Sequence, residues 1–169
     1  LRDFTFKFKD GHVSIGGDLT ISDFRARFLA GYGFTIRELD NGKAIVNGVV
    51  KDGPAAQAGM QVGAEVTAFN DQPIGQAISA VQPFFSQSSD FAIRYVQAVW
   101  LLRAAPNVQA TVTFTNPKGS AQTAKLRAEP ETDTLFEALG WNSAQTVMPI
   151  ETSLLEQGGQ KIGYIRILS

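Results

Sequence analysis

The sequence contains no cysteine, which excludes disulfide bonds, thiolate catalysis and cysteine-based zinc sites. Its one histidine is His12, and we predict neither a metal site nor a cofactor. The 15 basic residues nearly balance the 16 acidic ones, so the basic surplus typical of nucleic-acid-binding proteins is lacking. No apolar run approaches the roughly 20 residues that a membrane-spanning helix needs. We therefore expect no nucleic-acid partner and no membrane span.

The composition is that of a folded protein. Of the 169 residues, 44% are hydrophobic and 18% are charged, which is typical of globular rather than disordered chains. A chain of this length can bury roughly two-thirds of its unfolded surface without a metal or a disulfide. The chain starts at Leu1 and stops within a strand-like segment, so we interpret it as a piece of a longer protein.

Residues 31–34 read Gly-Tyr-Gly-Phe and lead directly into a predicted strand. A glycine-bracketed turn before a strand lets consecutive backbone N–H groups point into one concavity, which can hold an anionic oxygen. The open strand beside such a turn can pair with an extended peptide. The alternative is that the turn is purely structural.

A second motif follows about twenty residues later and runs from Gly53-Pro54-Ala55-Ala56 to Glu65-Val66. It predicts a short helix over 55–58, with Pro54 at a favourable first-turn position, and a strand over 65–69. Together with the Gly-Tyr-Gly-Phe turn, this segment resembles a PDZ domain. The run is similar to the bacterial, protease-associated branch of that family.

The remaining pattern is mainly β, with strands predicted over 34–39, 44–50, 109–115 and 121–127. Ser89 and Asp90 give an N-cap signal for a helix over 91–103. At the N-terminus, Phe4, Phe6 and Phe8 alternate with polar residues, and Asp10-Gly11 suits a hairpin turn. We predict an α+β, mostly β fold: a PDZ-like, partly open β-barrel or sandwich capped by two helices, with an N-terminal β-hairpin and a C-terminal extension.

The PDZ resemblance implies that a peptide's C-terminus adds as an antiparallel strand beside residues 34–37, opposite the helix over 91–103. The terminal carboxylate would receive N–H groups from the turn and a charged contact from Arg27 or Arg25. The predicted peptide-binding residues are Tyr32, Gly33, Phe34, Thr35, Ile36, Arg27, Ile93, Val96 and Trp100. The alternatives are that Phe34 and Ile36 belong to the core and that both arginines are solvated.

Near the end of the chain, the segment Lys161-Ile162-Gly163-Tyr164-Ile165-Arg166-Ile167 resembles the strand that opens the core of C-terminal processing (tail-specific) serine peptidases. That resemblance implies an N-terminal hairpin segment (1–23), a PDZ-like domain (24–130) with an insertion near 74–90, and a linker with the first core strand (131–169). It also implies a periplasmic or extracellular location. The family's nucleophile lies further along the core than this chain reaches, so the fragment alone should be inactive.

His12 lies in the run Asp10-Gly11-His12-Val13, which resembles a motif that precedes the PDZ domain in some of these peptidases. In one branch of the family a histidine upstream of the PDZ domain is the general base, and an imidazole that titrates near neutrality suits that role. The alternative is that Asp10-Gly11 forms a turn and that His12 is an exposed residue beside it.

These patterns favour a module that binds peptide or protein C-termini and presents them to a serine peptidase core. A second hypothesis is a non-catalytic PDZ scaffold of the cell envelope. In a third, the insertion near 74–90 covers the groove and the module is structural.

Overall fold

The computed structural model describes residues 2–13, 18–139 and 150–167. The helices are α1 (Arg2–Thr5), α2 (Asp18–Phe28), α3 (Pro54–Gln57), α4 (Ile74–Ala80), α5 (Asp90–Leu101) and α6 (Asp133–Leu139). The strands are β1 (Ala30–Gly31), β2 (Phe34–Glu38), β3 (Ala44–Val49), β4 (Glu65–Phe69), β5 (Gln72–Pro73), β6 (Arg103–Ala104), β7 (Gln109–Thr115), β8 (Ala121–Arg127), β9 (Glu129–Pro130), β10 (Ile150–Gln157) and β11 (Gln160–Ile167). Within these ranges, no helix combines the length and the apolar character that crossing a bilayer requires.

The main sheet is antiparallel and has the strand order β2-β3-β4-β7-β8, with β5 added to β4. A small second sheet, β6-β1-β9, lies where the chain enters and leaves this region. The sheets are open rather than closed into a barrel, and the predicted mostly β fold is confirmed. Because β2 pairs only with β3, its other edge is left without a strand partner in the described part of the chain.

The main core lies on one face of this sheet. Strand β7 shows the expected period of two, since Ala110, Val112 and Phe114 are buried while the residues between them are partly exposed. The same cluster includes Phe34 of β2 and Val46 of β3. The apolar alternation read from the sequence therefore fixes which face of each strand is buried.

A second apolar cluster lies behind α5 and contains Phe84, Val96, Val99, Trp100 and Leu135. Phe24 and Phe28 of α2 pack against it, and their ring centroids lie 5.8 and 4.9 Å from that of Trp100. Helix α5 thus contributes to both clusters, since its Ala98 belongs to the main core. Its predicted N-cap is also confirmed, because the Ser89 hydroxyl accepts a hydrogen bond from the Ala92 amide at 3.1 Å.

The predicted N-terminal β-hairpin is wrong. Residues 2–5 form α1, and Phe6–Phe8 form a 3₁₀ turn. The alternating phenylalanines include the i,i+4 pair Phe4 and Phe8, whose rings meet edge to face at 5.1 Å, as they can on one side of a helix. The second strand of the hairpin would follow the Asp10-Gly11 turn. Val13 has no regular secondary structure there, and Ile15 lies outside the described residues.

Strands β10 and β11 form a two-stranded hairpin with Gly158 and Gly159 in its turn. The strand predicted near residue 162 is confirmed as β11, whereas β10 falls where the sequence indicates only a linker with weak strand content. Large apolar side chains of the hairpin are exposed, among them Leu154 at 68% and Ile165 at 67%.

Asn116 ties the β7–β8 turn to the loop after α3, since its Oδ1 accepts from the Gln61 amide at 3.0 Å and its Nδ2 donates to the Gly59 carbonyl at 2.8 Å. We expect Asn116→Ala to lower the free energy of unfolding by about 1–2 kcal/mol, because both backbone groups lose their partner. Asn116→Asp keeps only the acceptor and should fall between alanine and wild type in urea unfolding. Equal stability of all three proteins would contradict this role.

Candidate functional site

A groove runs between the open edge of β2 and helix α5, which lies beside it. The Gly31–Phe34 turn closes one end of this groove, and residues 37–40 lie at the other end. The arrangement follows from the chain order. The turn leads directly into β2, and the end of α5 leads into β6. Strand β6 pairs antiparallel with β1, so that Arg103 lies opposite Gly31.

The turn directs two amides toward the open edge of β2. The Tyr32 carbonyl accepts from the Ala55 amide at 3.2 Å, and the Gly33 carbonyl accepts from the Val50 amide at 2.9 Å. In a trans peptide the N–H of the next residue points opposite to the carbonyl. The N–H groups of Gly33 and Phe34 therefore point away from α3 and β3, as an anion-binding turn requires.

Gly33 is required by this geometry. Its φ is +78°, which L side chains rarely adopt, and a Cβ there would lie 3.0 Å from Cδ of Pro54. Pro54 in turn opens α3, so the turn and the short helix that carried the PDZ resemblance are packed directly on each other.

Polar contacts join the two rims at the outer end of the groove. The Arg94 guanidinium of α5 binds both carboxylate oxygens of Glu38 on β2, each at 2.5 Å. The Glu38 hydrogen bond raises the pKa of Arg94. Arg37 places its guanidinium 4.2 Å from the ring centroid of Tyr95, a cation–π distance. These residues surround a cavity of about 190 Å³ that also reaches Phe91.

At the turn end of the groove the space is far smaller. A cavity of about 10 Å³ remains there, which is about the room that one water needs. It is lined by residues of β2, α5, the following strand and α6, namely Phe34, Thr35, Ile36, Val99, Leu102, Arg103, Thr134 and Ala138. A peptide's last side chain does not fit into this volume.

Helix α6 accounts for the missing space, because it packs against both β2 and α5. Its Leu135 is 1% exposed and belongs to the cluster behind α5. The hydroxyl of Tyr95 donates to the Ala138 carbonyl. The chain thus covers the inner part of its own groove.

Arg103 anchors the segment that leads into α6. Its guanidinium donates to the Phe28 carbonyl at 3.0 Å, to the Thr134 hydroxyl at 2.8 Å, and to the carboxylate and the carbonyl of Glu131. The side chain is 1% exposed, and burial lowers the pKa of Arg103 while the Glu131 charge opposes that shift. This ion pair crosses over Gly31, where any Cβ would collide with both partners.

The structure brings only some of the predicted peptide-binding residues to the groove. Phe34, Thr35 and Ile36 line its inner cavity, although Phe34 and Ile36 are also members of the main core. Tyr32 packs on Phe69 in that core and lines neither cavity. Val96 and Trp100 lie in the cluster behind α5, and Ile93 lines neither cavity. The groove face of α5 is instead formed by Phe91 and Tyr95 at the outer cavity and by Val99 at the inner cavity, with Leu102 directly after the helix. Val99 also belongs to the cluster behind α5, so that cluster reaches the inner end of the groove.

Neither of the two arginines predicted to contact the peptide carboxylate lines a cavity of the groove. Arg27 is 57% exposed and pairs with Asp23 on its own helix at 2.7 Å, and Arg25 is exposed. Arg103 is the arginine beside the turn. The sequence does not reveal this, because no local pattern distinguishes Arg103 from an ordinary arginine at the end of a helix. The contact that reveals it, with Gly31, spans 72 residues.

His12 lies in a solvated turn. Its amide donates to the Asp10 carboxylate at 2.9 Å, its Nδ1 lies 2.9 Å from the same oxygen, and its side chain is 96% exposed. The turn is held to the rest of the chain by the Gly11 amide, which donates to the Ser88 hydroxyl at 3.1 Å.

The insertion near 74–90 does not cover the groove. Phe84 and Phe85 turn into the cluster behind α5, and residues 81–89 line neither of the two cavities. Arg94 binds α4 through the Gly75 carbonyl and the Ser79 hydroxyl, so the insertion supports the outer side of α5.

Comparison with known proteins gives the same assignment for this region. A sequence model described as a PDZ domain matches residues 45–95, which run from β3 into α5. The chain contains a PDZ domain. No curated protein sequence matches at a significant level.

Solved structures share the fold of this chain. Mature CPAF complexed with lactacystin superposes with a TM-score of 0.62 at 14% identity, covering 99% of this chain and 37% of that one. Mature CPAF alone gives 0.59 at 15% identity, with 99% and 36% covered. The photosystem II D1 C-terminal processing protease gives 0.44 at 16% identity, with 98% and 40% covered. With CPAF the shared feature is the fold, and the chain spans little more than a third of the length of that protein.

Gly33→Ala and Gly42→Ala form a matched pair, because both glycines have a φ of +78° but only Gly33 has a close neighbour. We expect Gly42→Ala to cost about 1–2 kcal/mol from backbone conformation alone. Gly33→Ala should cost more, since its Cβ also meets Pro54. Urea unfolding measures both values, and equal costs would mean that the contact with Pro54 is easily relieved.

The Asp10 carboxyl offers a test of the His12 turn. The His12 amide, and secondarily its ring, lower the pKa of Asp10 below 3.8. The turn should therefore hold above pH 3.8 and be lost as the pH falls through the folded pKa. His12→Ala keeps the amide, so an NMR titration of Asp10 should show its pKa rising only part of the way; a complete return to 3.8 would assign the effect to the ring.

Proposed function

We propose that this PDZ domain binds the C-terminal tails of peptides or proteins by strand addition. The tail pairs with the open edge of β2, and its carboxylate receives the N–H groups of Gly33 and Phe34. The apolar side chains of the tail lie between β2 and the groove face of α5.

The observation that carries this proposal is the orientation of the Gly31–Phe34 turn. Two of its carbonyls accept from the Ala55 and Val50 amides, which leaves the following amides directed at the edge of β2 that has no strand partner in the described part of the chain. An unpaired edge with amides at its end is the arrangement used for capturing C-terminal carboxylates. The 190 Å³ cavity at the outer end supports entry of an extended chain from that side.

We further propose that the parent protein is a C-terminal processing serine endopeptidase of the periplasm or the cell exterior. The order of a PDZ domain followed by the Gly-Tyr-Ile-Arg-Ile strand supports this, and so does the shared fold with CPAF over nearly the whole chain. In this proposal the PDZ domain presents substrate tails to a catalytic core that follows it. His12 as general base belongs to the same proposal, and turnover by the full-length parent with His12→Ala tests it directly.

Carboxylate capture is tested with two labelled hexapeptides of identical sequence that end in valine, one as the free acid and one as the amide. We expect the free acid to bind at roughly micromolar to millimolar strength and to shift the amide NMR signals of Gly33, Phe34 and Thr35. The amide should bind at least tenfold more weakly, because it lacks the anionic oxygen.

A peptide ending in lysine, again as acid and amide, separates carboxylate capture from the apolar groove. It should keep the difference between acid and amide while binding more weakly overall. If the acid and the amide of the valine peptide bind equally well, the turn is structural and the proposal fails.

A further inference from the structure

We propose that Arg103 is the cationic base of the carboxylate site, and that the Glu131 carboxylate occupies it in the peptide-free chain, which makes residues 131–138 an internal ligand of the groove. This inference rests on the proposed function, since it names the residue that receives the tail and the segment that competes with it.

The position of Arg103 supports the first part. Its guanidinium lies directly over Gly31, the first residue of the turn, and lines the inner cavity together with Phe34. A carboxylate bound by the Phe34 amide would therefore be within the reach of a planar guanidinium, which matches carboxylate geometry. Arg25 and Arg27 are exposed on α2 and line neither cavity.

The orphaned hydroxyl of Thr35 is independent support. Thr35 is 5% exposed and lines the same cavity, yet its Oγ1 has no hydrogen-bond partner within residues 2–13, 18–139 and 150–167. Buried polar atoms are nearly always paired in folded proteins. A tail carboxylate in this cavity would give that hydroxyl an acceptor, so the site is complete only when it is filled.

In the peptide-free chain the Glu131 side chain supplies such a carboxylate. It accepts from the Arg103 guanidinium, from the Thr134 amide at 2.9 Å and from the Thr134 hydroxyl at 2.6 Å. The next turn of α6 then brings Leu135 into the cluster behind α5 and Ala138 to the Tyr95 hydroxyl. Residues 131–138 thus place the Glu131 carboxylate on Arg103 and the apolar side chain of Leu135 nearby. A C-terminal tail with an apolar last residue offers the same two groups.

Competition follows from this overlap. A buried guanidinium needs a partner, so release of Glu131 is favourable only when another anion replaces it. The observed affinity for a tail is the intrinsic affinity multiplied by the fraction of molecules with α6 released. Weakening the internal contact must therefore tighten tail binding without adding any new contact.

The test compares wild type, Glu131→Gln and Glu129→Gln with the valine hexapeptide acid and amide described above. Glu131→Gln keeps the shape and an acceptor oxygen but loses the charge, and we expect about tenfold tighter binding of the acid. Glu129→Gln removes the same charge from an exposed position two residues earlier and should bind like wild type. The amide should gain less than the acid in Glu131→Gln.

Arg103→Lys in the Glu131→Gln background tests the cation. Lysine keeps the charge but not the planar fork, so the preference for acid over amide should fall at least fivefold. Since Arg103 also holds the Phe28 carbonyl, a structural role would weaken the acid and the amide alike and leave their ratio unchanged. An unchanged ratio overturns the assignment of Arg103.

A measurement on wild type does not depend on any variant folding. Saturation with the free-acid peptide should accelerate hydrogen exchange of amides 134–138, because the tail displaces α6. If wild type and Glu131→Gln bind the acid equally and exchange is unchanged, the internal ligand is wrong although tail binding stands. If no protein binds either peptide, both the proposed function and this inference fail.

Discussion

The buried pair of Arg103 and Glu131 is the interaction on which the rest of this site depends. Four separate parts of the chain meet at one guanidinium: the end of α2 through the Phe28 carbonyl, β1 through Gly31 beneath it, β6, and the segment that enters α6. A buried charge that loses its partner costs roughly 3–5 kcal/mol, so these parts are held in register. Gly31 makes the pair sterically feasible because its missing side chain leaves the space that the pair fills.

The same constraint decides the state of the groove. The chain leaves one edge of β2 without a strand partner among the described residues and directs two amides at its end, but it then returns across that end and covers it with α6. The outer end stays accessible although Arg94 and Glu38 join its rims. If tails bind as proposed, α6 is a competitor attached to the same chain, and its effective concentration exceeds that of a dilute free peptide. The proposal therefore makes affinity for a tail depend on the stability of α6 as well as on the groove.

Much of the fold could be predicted because its signals are local. Strands β7 and β8 follow from alternation, the start of α5 from the Ser89 hydroxyl three residues before the amide it caps, and the turn before β2 from the conformational freedom of Gly33. Where local signals are ambiguous, prediction failed. Phe4, Phe6 and Phe8 satisfy a strand period, but Phe4 and Phe8 are also a helical i,i+4 pair, and their rings meet in the structure. On α5 apolar side chains are buried on more than one side, Ala98 in the main core and Trp100 among the rings of α2, and only the cavities show which residues border the groove.

By itself, the sequence determined the PDZ strands, the glycine turn before β2 and the cap of α5, because each depends on groups within a few residues of one another. The tertiary structure decided which arginine lies beside the turn, which stripe of α5 lines the groove, and that α6 fills the groove's inner end. Those outcomes depend on a buried ion pair between residues 28 positions apart and on a β-bridge between Gly31 and Arg103, and no local pattern encodes either contact.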